Sequence, residues 1–280
     1  MRLGDFQIDL LSDGQFWLDG GAMFGVIPRA LWGKVVVPDE KNRILLGLNC
    51  LLIRTGSKNI LVDTGCGDKY SEKQIHIYGI EHTSSLDVGL ARLEMSPSEI
   101  DLVINTHLHF DHCGGNTRLE DGMVVPGFPN ATYLINAQEY EDANHANERT
   151  QASYFHHNWT SLEERGQIRL VDGDLEVVEG VTIVHTPGHT LGHQSVRISS
   201  EGRTLFYFGD LCPTAAHVPL PWIMSYDLYP LTTLETRKRI YADAVREGWL
   251  VLFEHDPVQV AGYLKEEDGR YLTDPFDWDL

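Results

Sequence analysis

Between Thr106 and Gly115 the chain reads Thr-His-Leu-His-Phe-Asp-His-Cys-Gly-Gly, which gathers His107, His109, Asp111 and His112 into one short stretch. Imidazole and carboxylate are donors that zinc and its first-row neighbours accept, whereas an oxygen-only set suits calcium or magnesium. His107 and His109, two apart in an extended turn, can face one ion from the same side. Asp111 and His112 then fall where a second ion could sit. A lone His-x-His is equally well explained as part of a solvated loop; the full pattern directly after an apolar run favours a metal loop. Gly114 and Gly115 let the backbone turn sharply into the next element.

Other apolar runs deliver polar side chains at their ends. Val181 to His185 leads through Thr186-Pro-Gly to His189, Leu205 to Phe208 leads through Gly209 to Asp210, and Trp249 to Phe253 leads through Glu254 to His255. Singly, each passes for a turn residue. Jointly they complete two coordination sets, and loops at strand ends are where α/β scaffolds collect their chemistry. Asp63, at the end of the run Asn59 to Asp63 and before a glycine turn, either caps backbone groups of that turn or, the reading favoured by a nearby metal loop, accepts the far N–H of a ligand histidine and fixes its tautomer.

The positioning elements follow from periodicity and turn signals. Strands are expected at Asp101 to Asn105, Ile44 to Arg54, Asn59 to Asp63, Ala131 to Ile135 and in a β-rich stretch from Ile168 to Phe208. Phe6 to Leu11 and Gln15 to Leu18 read as two short strands of a meander, parted by Ser-Asp-Gly. Helices are expected over Ser84 to Met95, as a polar surface helix from Ala137 to about Arg149, and from the capping box Thr232-Thr-Leu-Glu235 to about Glu247. Ala22 to Trp32 is apolar without a clear period. It reads either as an arm that covers the core or as a lid or dimer contact, with Phe24 and Trp32 touching a substrate.

Composition narrows the classes. With 42% hydrophobic and 22% charged residues, the 280-residue chain is globular, and without a linker or low-complexity segment it reads as one domain over 1–280, with 20–35 as the lid or dimer arm. A net charge of −19 repels phosphate backbones and anionic lipid, so neither nucleic acid nor membrane is an expected partner. Cys50, Cys66, Cys113 and Cys212 are scattered, with no Cys-x-x-Cys pair, and the start of the chain lacks a signal-peptide pattern. A cytoplasmic protein with free thiols is expected.

Taken together, Asp63-Thr-Gly, His107-x-His-x-Asp-His112, Thr186-Pro-Gly-His189, Gly209-Asp210 and His255 resemble the metallo-β-lactamase-fold hydrolases. The resemblance runs from about Leu45 to His255. It implies an α/β architecture, the αββα four-layer sandwich of two mixed sheets with helices outside. It implies that His107, His109 and His189 hold one metal, that Asp111, His112 and His255 hold the other, and that Asp210 bridges them. The pair is expected to be zinc, with iron, manganese or cobalt as alternatives. Asp111 and Asp210 are the implied catalytic carboxylates, and Asp63 and His193 are expected to support the ligands from behind.

Departures from subfamily patterns narrow the branch. A cysteine usual in class B lactamases is replaced by Asp210, and the glutamate of flavodiiron proteins by His109. The segment Asp13-Gly, Met23-Phe-Gly and Ile27-Pro-x-x-Leu-Trp32 resembles the N-terminal arm of quorum-quenching N-acyl-homoserine lactone lactonases. The implied activity is opening of a lactone or ester of a small molecule by attack of a metal-bridging hydroxide. Alternatives on the same site are an organophosphate hydrolase, a thioester hydrolase like glyoxalase II, or a mononuclear-iron thiol dioxygenase. The tyrosine that familiar lactonases carry after the bridging aspartate is replaced by Leu211-Cys-Pro213. Tyr226 or His217 is the expected substitute, and Phe24, Trp32, Phe110 and Trp222 complete the expected substrate contacts.

Overall fold

The structure, a computed structural model, describes residues 1–278. Two seven-stranded sheets lie face to face. The first begins as an antiparallel meander of Arg2–Leu3, Phe6–Asp19, Arg43–Arg54 and Asn59–Val62, and continues in parallel through Leu102–Ile104, Thr132–Asn136 and Ile168–Val171. The second runs from Leu175–Val178 to Arg270–Pro275. It is antiparallel except where Arg203–Tyr207 meets Leu250–Leu252 across the helix Pro230–Glu247. A parallel neighbour needs such a crossover.

Apolar side chains from both sheets make the central core: Ile53, Val62, Ile104 and Leu134 from one meet Ile183, Val196, Leu205 and Leu252 from the other. A second cluster fills the space between the outer face of the first sheet and helices Leu86–Arg92, Ala137–Asn144 and Thr160–Glu164. A third lies under Pro230–Glu247, whose Ile240, Tyr241 and Ala244 are buried. The layers are therefore helix, sheet, sheet, helix, as the αββα expectation has it.

Several local expectations need correction. Phe6–Asp19 is one continuous strand, not two: Ser-Asp-Gly is a bulge between Ser12 and Gln15, with Gly14 at φ 103°, and pairing with Arg43–Arg54 resumes beyond it. The last long helix starts at Pro230 rather than at a Thr232 cap, since a proline needs no N–H partner in the first turn. The helix expected to reach Arg149 stops at Asn144, and its Glu139 is fully buried. Helix Glu72–Tyr78, with a Ser71 capping box, and the hairpin Thr117–Glu120 with Met123–Pro126 are additional elements.

The apolar segment near residue 22 folds as two short helices, Gly20–Phe24 and Arg29–Trp32. Phe24 stacks on Trp32 at 5.2 Å and on His217 at 4.5 Å, which pins the arm into a fourth apolar cluster. Among the described residues no helix is long and apolar enough to cross a membrane.

Candidate metal centre

All four segments that carry the expected ligands come to one edge of the sandwich. Strand Leu102–Ile104 of the first sheet hands on to the loop with His107 and His109, and His109 caps the single-turn helix Phe110–Cys113 that carries Asp111 and His112. From the second sheet, strand Val181–His185 leads to His189, Arg203–Tyr207 to Asp210 and Leu250–Leu252 to His255. Two of these exits need glycine. Gly188 takes φ 146° with Thr233 packed where a Cβ would stand, and Gly209 takes φ 57° against His193 and Thr106.

The side chains fall into two groups, His107, His109, His189 and Asp210 in one, Asp111, His112 and His255 in the other, all buried. Asp210 lies between them. Its Oδ2 is 3.1 Å from His189 Nε2 and 3.6 Å from His112 Nε2, and its Oδ1 is 3.2 Å from His255 Nε2.

Hydrogen bonds behind the rings fix which nitrogens face inward. His189 Nδ1 donates to Asp227 Oδ1 at 2.9 Å, and His255 Nδ1 donates to the Gly47 carbonyl at 2.9 Å. His112 Nδ1 lies 3.1 Å from Asp63 Oδ2 and 3.0 Å from Glu254 Oε1. Thr106 Oγ1 gives its one proton to Asp63 Oδ2 at 2.7 Å, so His107 Nδ1, 3.1 Å away, must donate to it.

Neutral rings held this way turn bare nitrogen lone pairs to the centre. His255 Nε2 and His112 Nε2 then stand 3.1 Å apart with no proton to share. His107 Nε2 and Asp210 Oδ1 are buried without a hydrogen-bond partner. Lone pairs converging on carboxylate oxygens repel one another unless something positive lies between, and this donor set suits a divalent first-row cation.

The electrostatics show how strongly the carboxylates draw positive charge to this centre, which protons on three of the rings supply when no metal does. Burial holds His107 and His109 far below the usual imidazole range. At His112, His189 and His255 burial is overcome by neighbouring carboxylates, Glu254 for the first and Asp210 for the other two, which push His255 up to about 9. Asp210 is held well below the carboxylate range, burial being outweighed by His189, His112 and His255.

The supporting residues take defined places. Asp63 sits at φ 56° and accepts from the Thr106 amide, the Thr106 hydroxyl and the His112 ring. His193 Nε2 accepts the Asp210 amide at 3.0 Å, and its Nδ1 donates to the Thr186 carbonyl at 3.1 Å. Burial holds that ring near 3, so it stays a neutral acceptor. Sequence reasoning missed three carboxylates that bear on the ligands: Asp227, Glu139 and Glu254. Glu254 carried a signal, being next to His255. Asp227 and Glu139 carried none, since no fixed spacing ties them to the histidines.

Over the ligands opens a cavity of about 380 Å³. Leu18, Met23, Leu46, Met224 and Leu228 give it apolar walls, and Tyr78, Tyr226 and Arg149 line it with polar tips. Of the six residues expected to touch substrate, Phe110 and Tyr226 line this cavity. Phe24, Trp32, Trp222 and His217 do not. Phe24 and Trp32 are spent on the arm's own stack, and Trp222 packs edge-on against Phe24. His217 is fully buried, bonded to Thr214 Oγ1 at 2.7 Å and to the Met23 carbonyl at 2.9 Å. Buried Arg237 donates to the carbonyls of Leu211, His217 and Trp222, clamping the loop that follows Asp210.

The metallo-beta-lactamase superfamily model matches residues 44–256. An N-acyl homoserine lactonase of Bacillus cereus is 31% identical over 237 residues, covering 79% of this chain and 86% of that protein. A second N-acyl homoserine lactonase, from a Bacillus species, is 32% identical over 163 residues; that match takes in 54% of this chain and 58% of the relative's length. Among solved structures, a probable metal-dependent hydrolase from Staphylococcus aureus superposes with a TM-score of 0.90 at 32% identity, over 98% of this chain and 99% of that one. A dizinc quorum-quenching lactonase shares the fold at a TM-score of 0.84 and 22% identity, over 99% and 97% of the two chains. With the family match covering most of the chain, and a relative 31% identical over 79% of it, the protein belongs to the metallo-beta-lactamase superfamily.

Proposed function

We propose that the chain is a dinuclear metal-dependent hydrolase that opens the ring of a lactone carrying an apolar acyl chain, an N-acyl-homoserine-lactone-like substrate. The observation that carries this reading is Asp210, set between two converging sets of histidine nitrogens at the floor of an apolar cavity. His107, His109 and His189 would hold one divalent cation and Asp111, His112 and His255 the other, with zinc the metal that the dizinc neighbour and the donor set support. When bound, such a pair supplies Lewis acidity that activates water and polarises a carbonyl oxygen.

The chain's own groups do the rest. The Asp111 carboxylate, 3.6 Å from His255 Nε2 and 3.8 Å from His112 Nε2, faces the cavity and is placed to orient a water and take its proton. The hydroxyl of Tyr226 takes the place of the missing lactonase tyrosine and holds the substrate carbonyl. Leu18, Met23 and Leu46 receive the acyl chain and exclude water. The buried free thiols support a reducing, cytoplasmic setting, and the outward Val26 of the arm and Val37 just after it, 88% and 85% exposed, support a homodimer.

A panel of acyl-homoserine lactones, phosphotriesters, thioesters and β-lactams, assayed on protein of measured metal content, tests this. Fastest turnover of the lactones at two metals per chain is expected. Preference for phosphotriesters or thioesters would move the substrate within the same site. One iron per chain with thiol-dependent oxygen uptake would overturn the hydrolytic reading.

A further inference from the structure

The buried carboxylate of Glu139 plays no part in the chemistry above, yet it reaches both loops that supply the histidines of the first group. Glu139 lies in the first turn of helix Ala137–Asn144, where the Asn136 side chain already accepts from the Gln138 and Glu139 amides. With the cap satisfied, the glutamate turns inward instead of back to the helix start. It is fully buried. Among the described residues no lysine or arginine forms a salt bridge with it; three neutral donors meet it instead. The Leu108 amide donates to Oε1 at 2.9 Å, the Tyr154 hydroxyl to Oε1 at 3.0 Å, and the Thr190 hydroxyl to Oε2 at 2.6 Å.

Each donor leads to a ligand. Leu108 is the residue between His107 and His109, Thr190 follows His189, and the Tyr154 ring lies against the His109 ring at 4.9 Å. The approach is tight: a Cβ on Gly192 would stand 2.3 Å from the Glu139 amide nitrogen, so the loop after His189 is pressed onto the start of this helix.

We infer that Glu139 is the positioning residue of the first metal site: one carboxylate sets the separation between the His107–His109 loop of the first sheet and the His189 loop of the second. The second group does not lean on it. Asp111 and His112 ride on a separate helical turn whose His112 is backed by Asp63 and Glu254, and His255 is backed by the Gly47 carbonyl. Loss of Glu139 therefore loosens one site and spares the other. Residues behind metal ligands are worth about tenfold to hundredfold in affinity when removed.

The inference rests on the dinuclear reading, and the test separates the two. Zinc affinity of full-length protein is measured by competition with a chromophoric chelator, alongside the visible spectrum of the cobalt-loaded form, for wild type, Glu139→Ala, Glu139→Gln and Thr190→Val. Wild type is expected to bind two ions. Glu139→Ala is expected to keep one at wild-type affinity and to weaken the other about tenfold or more. Glu139→Gln, which can still accept from Leu108 and Tyr154 and donate to Thr190, is expected to restore most of the loss. Thr190→Val removes a single hydrogen bond, is expected to fold even where the alanine variant does not, and should weaken the same one ion by a smaller factor. Two ions at unchanged affinity in the alanine and valine variants, with only the melting temperature lowered, would overturn the role of Glu139. Equal weakening of both ions would also overturn it. A wild-type chain that binds no second ion would instead bring down the dinuclear reading.

Discussion

The two groups of candidate ligands at the sheet edge are built from different materials. The first is assembled between sheets, from loops that the carboxylate of Glu139 ties together, with Asp227 behind His189. The second is backed from inside the sandwich, by Asp63 at the end of a central strand and by Glu254, both fully buried. The difference teaches that geometry at such a centre is inherited from the backing more than from the ligands. A histidine contributes a lone pair, and its direction is set by whatever takes the proton on the far nitrogen.

The strongest way to break the distinction is to remove what the groups share. Asp210→Ala is expected to lower turnover by orders of magnitude and to weaken both ions, with near-native circular dichroism; unchanged lactone hydrolysis would refute the bridging assignment. Removing the separate backings sharpens it. Asp63→Ala forfeits the bonds from Thr106 and His112 together, so the ion on the His112 side is expected to weaken about a hundredfold, and Asp227→Ala should weaken the His189 side about tenfold. Metal titration that found the same ion weakened in both variants would merge the two sites into one cooperative unit.

Substrate contacts give a smaller effect. Tyr226→Phe is expected to cost up to about tenfold in kcat/KM for lactones with metal affinity unchanged, the worth of one hydrogen bond. No change would leave the lactone carbonyl without a protein donor at Tyr226.

The smallest effect concerns the packing that supports the second group. Asp13, at the bulge of the long strand, accepts from the Gly67 amide, and Gly67 packs against Gly114 at the end of the metal-loop helix. Burial pushes the Asp13 carboxyl up from 3.8 to about 7. A carboxyl raised on folding keeps a proton that the unfolded chain has released, so its contribution to stability falls as pH rises from 3.8 to about 7. Asp13→Asn keeps an acceptor for Gly67 without the charge, and is expected to raise the melting temperature by a few degrees more at pH 8 than at pH 5. Equal shifts at both pH values would show that Asp13 folds already ionised.

Much of this is legible in the amino-acid sequence. Alternating and continuous apolar runs located the strands around the site, and the polar residues at their ends marked His189, Asp210 and His255, because turn chemistry and ligand chemistry occupy the same short stretches. What stayed illegible has physical causes. The bulge at Ser12 to Gln15 looks like a hairpin turn because both use glycine at positive φ, and only pairing with Arg43–Arg54 across the bulge tells them apart. Glu139 sits in a helix with Gln138, Glu141 and Asp142, whose polarity hides one inward carboxylate among several outward ones. Phe24, Trp32 and His217 are the right types for a binding wall, yet packing turned their faces to one another.

The ligands cross the interface between the sheets: His107 to His112 issue from one, and His189, Asp210 and His255 from the other. Any ion they share acts as a rivet through the seam, joining stretches of chain that are remote in sequence. Its grip on the fold should then scale with free metal as ordinary mass action requires. Under chelation, amide hydrogen exchange should quicken first along that rim, while the apolar interior between the sheets keeps its protection.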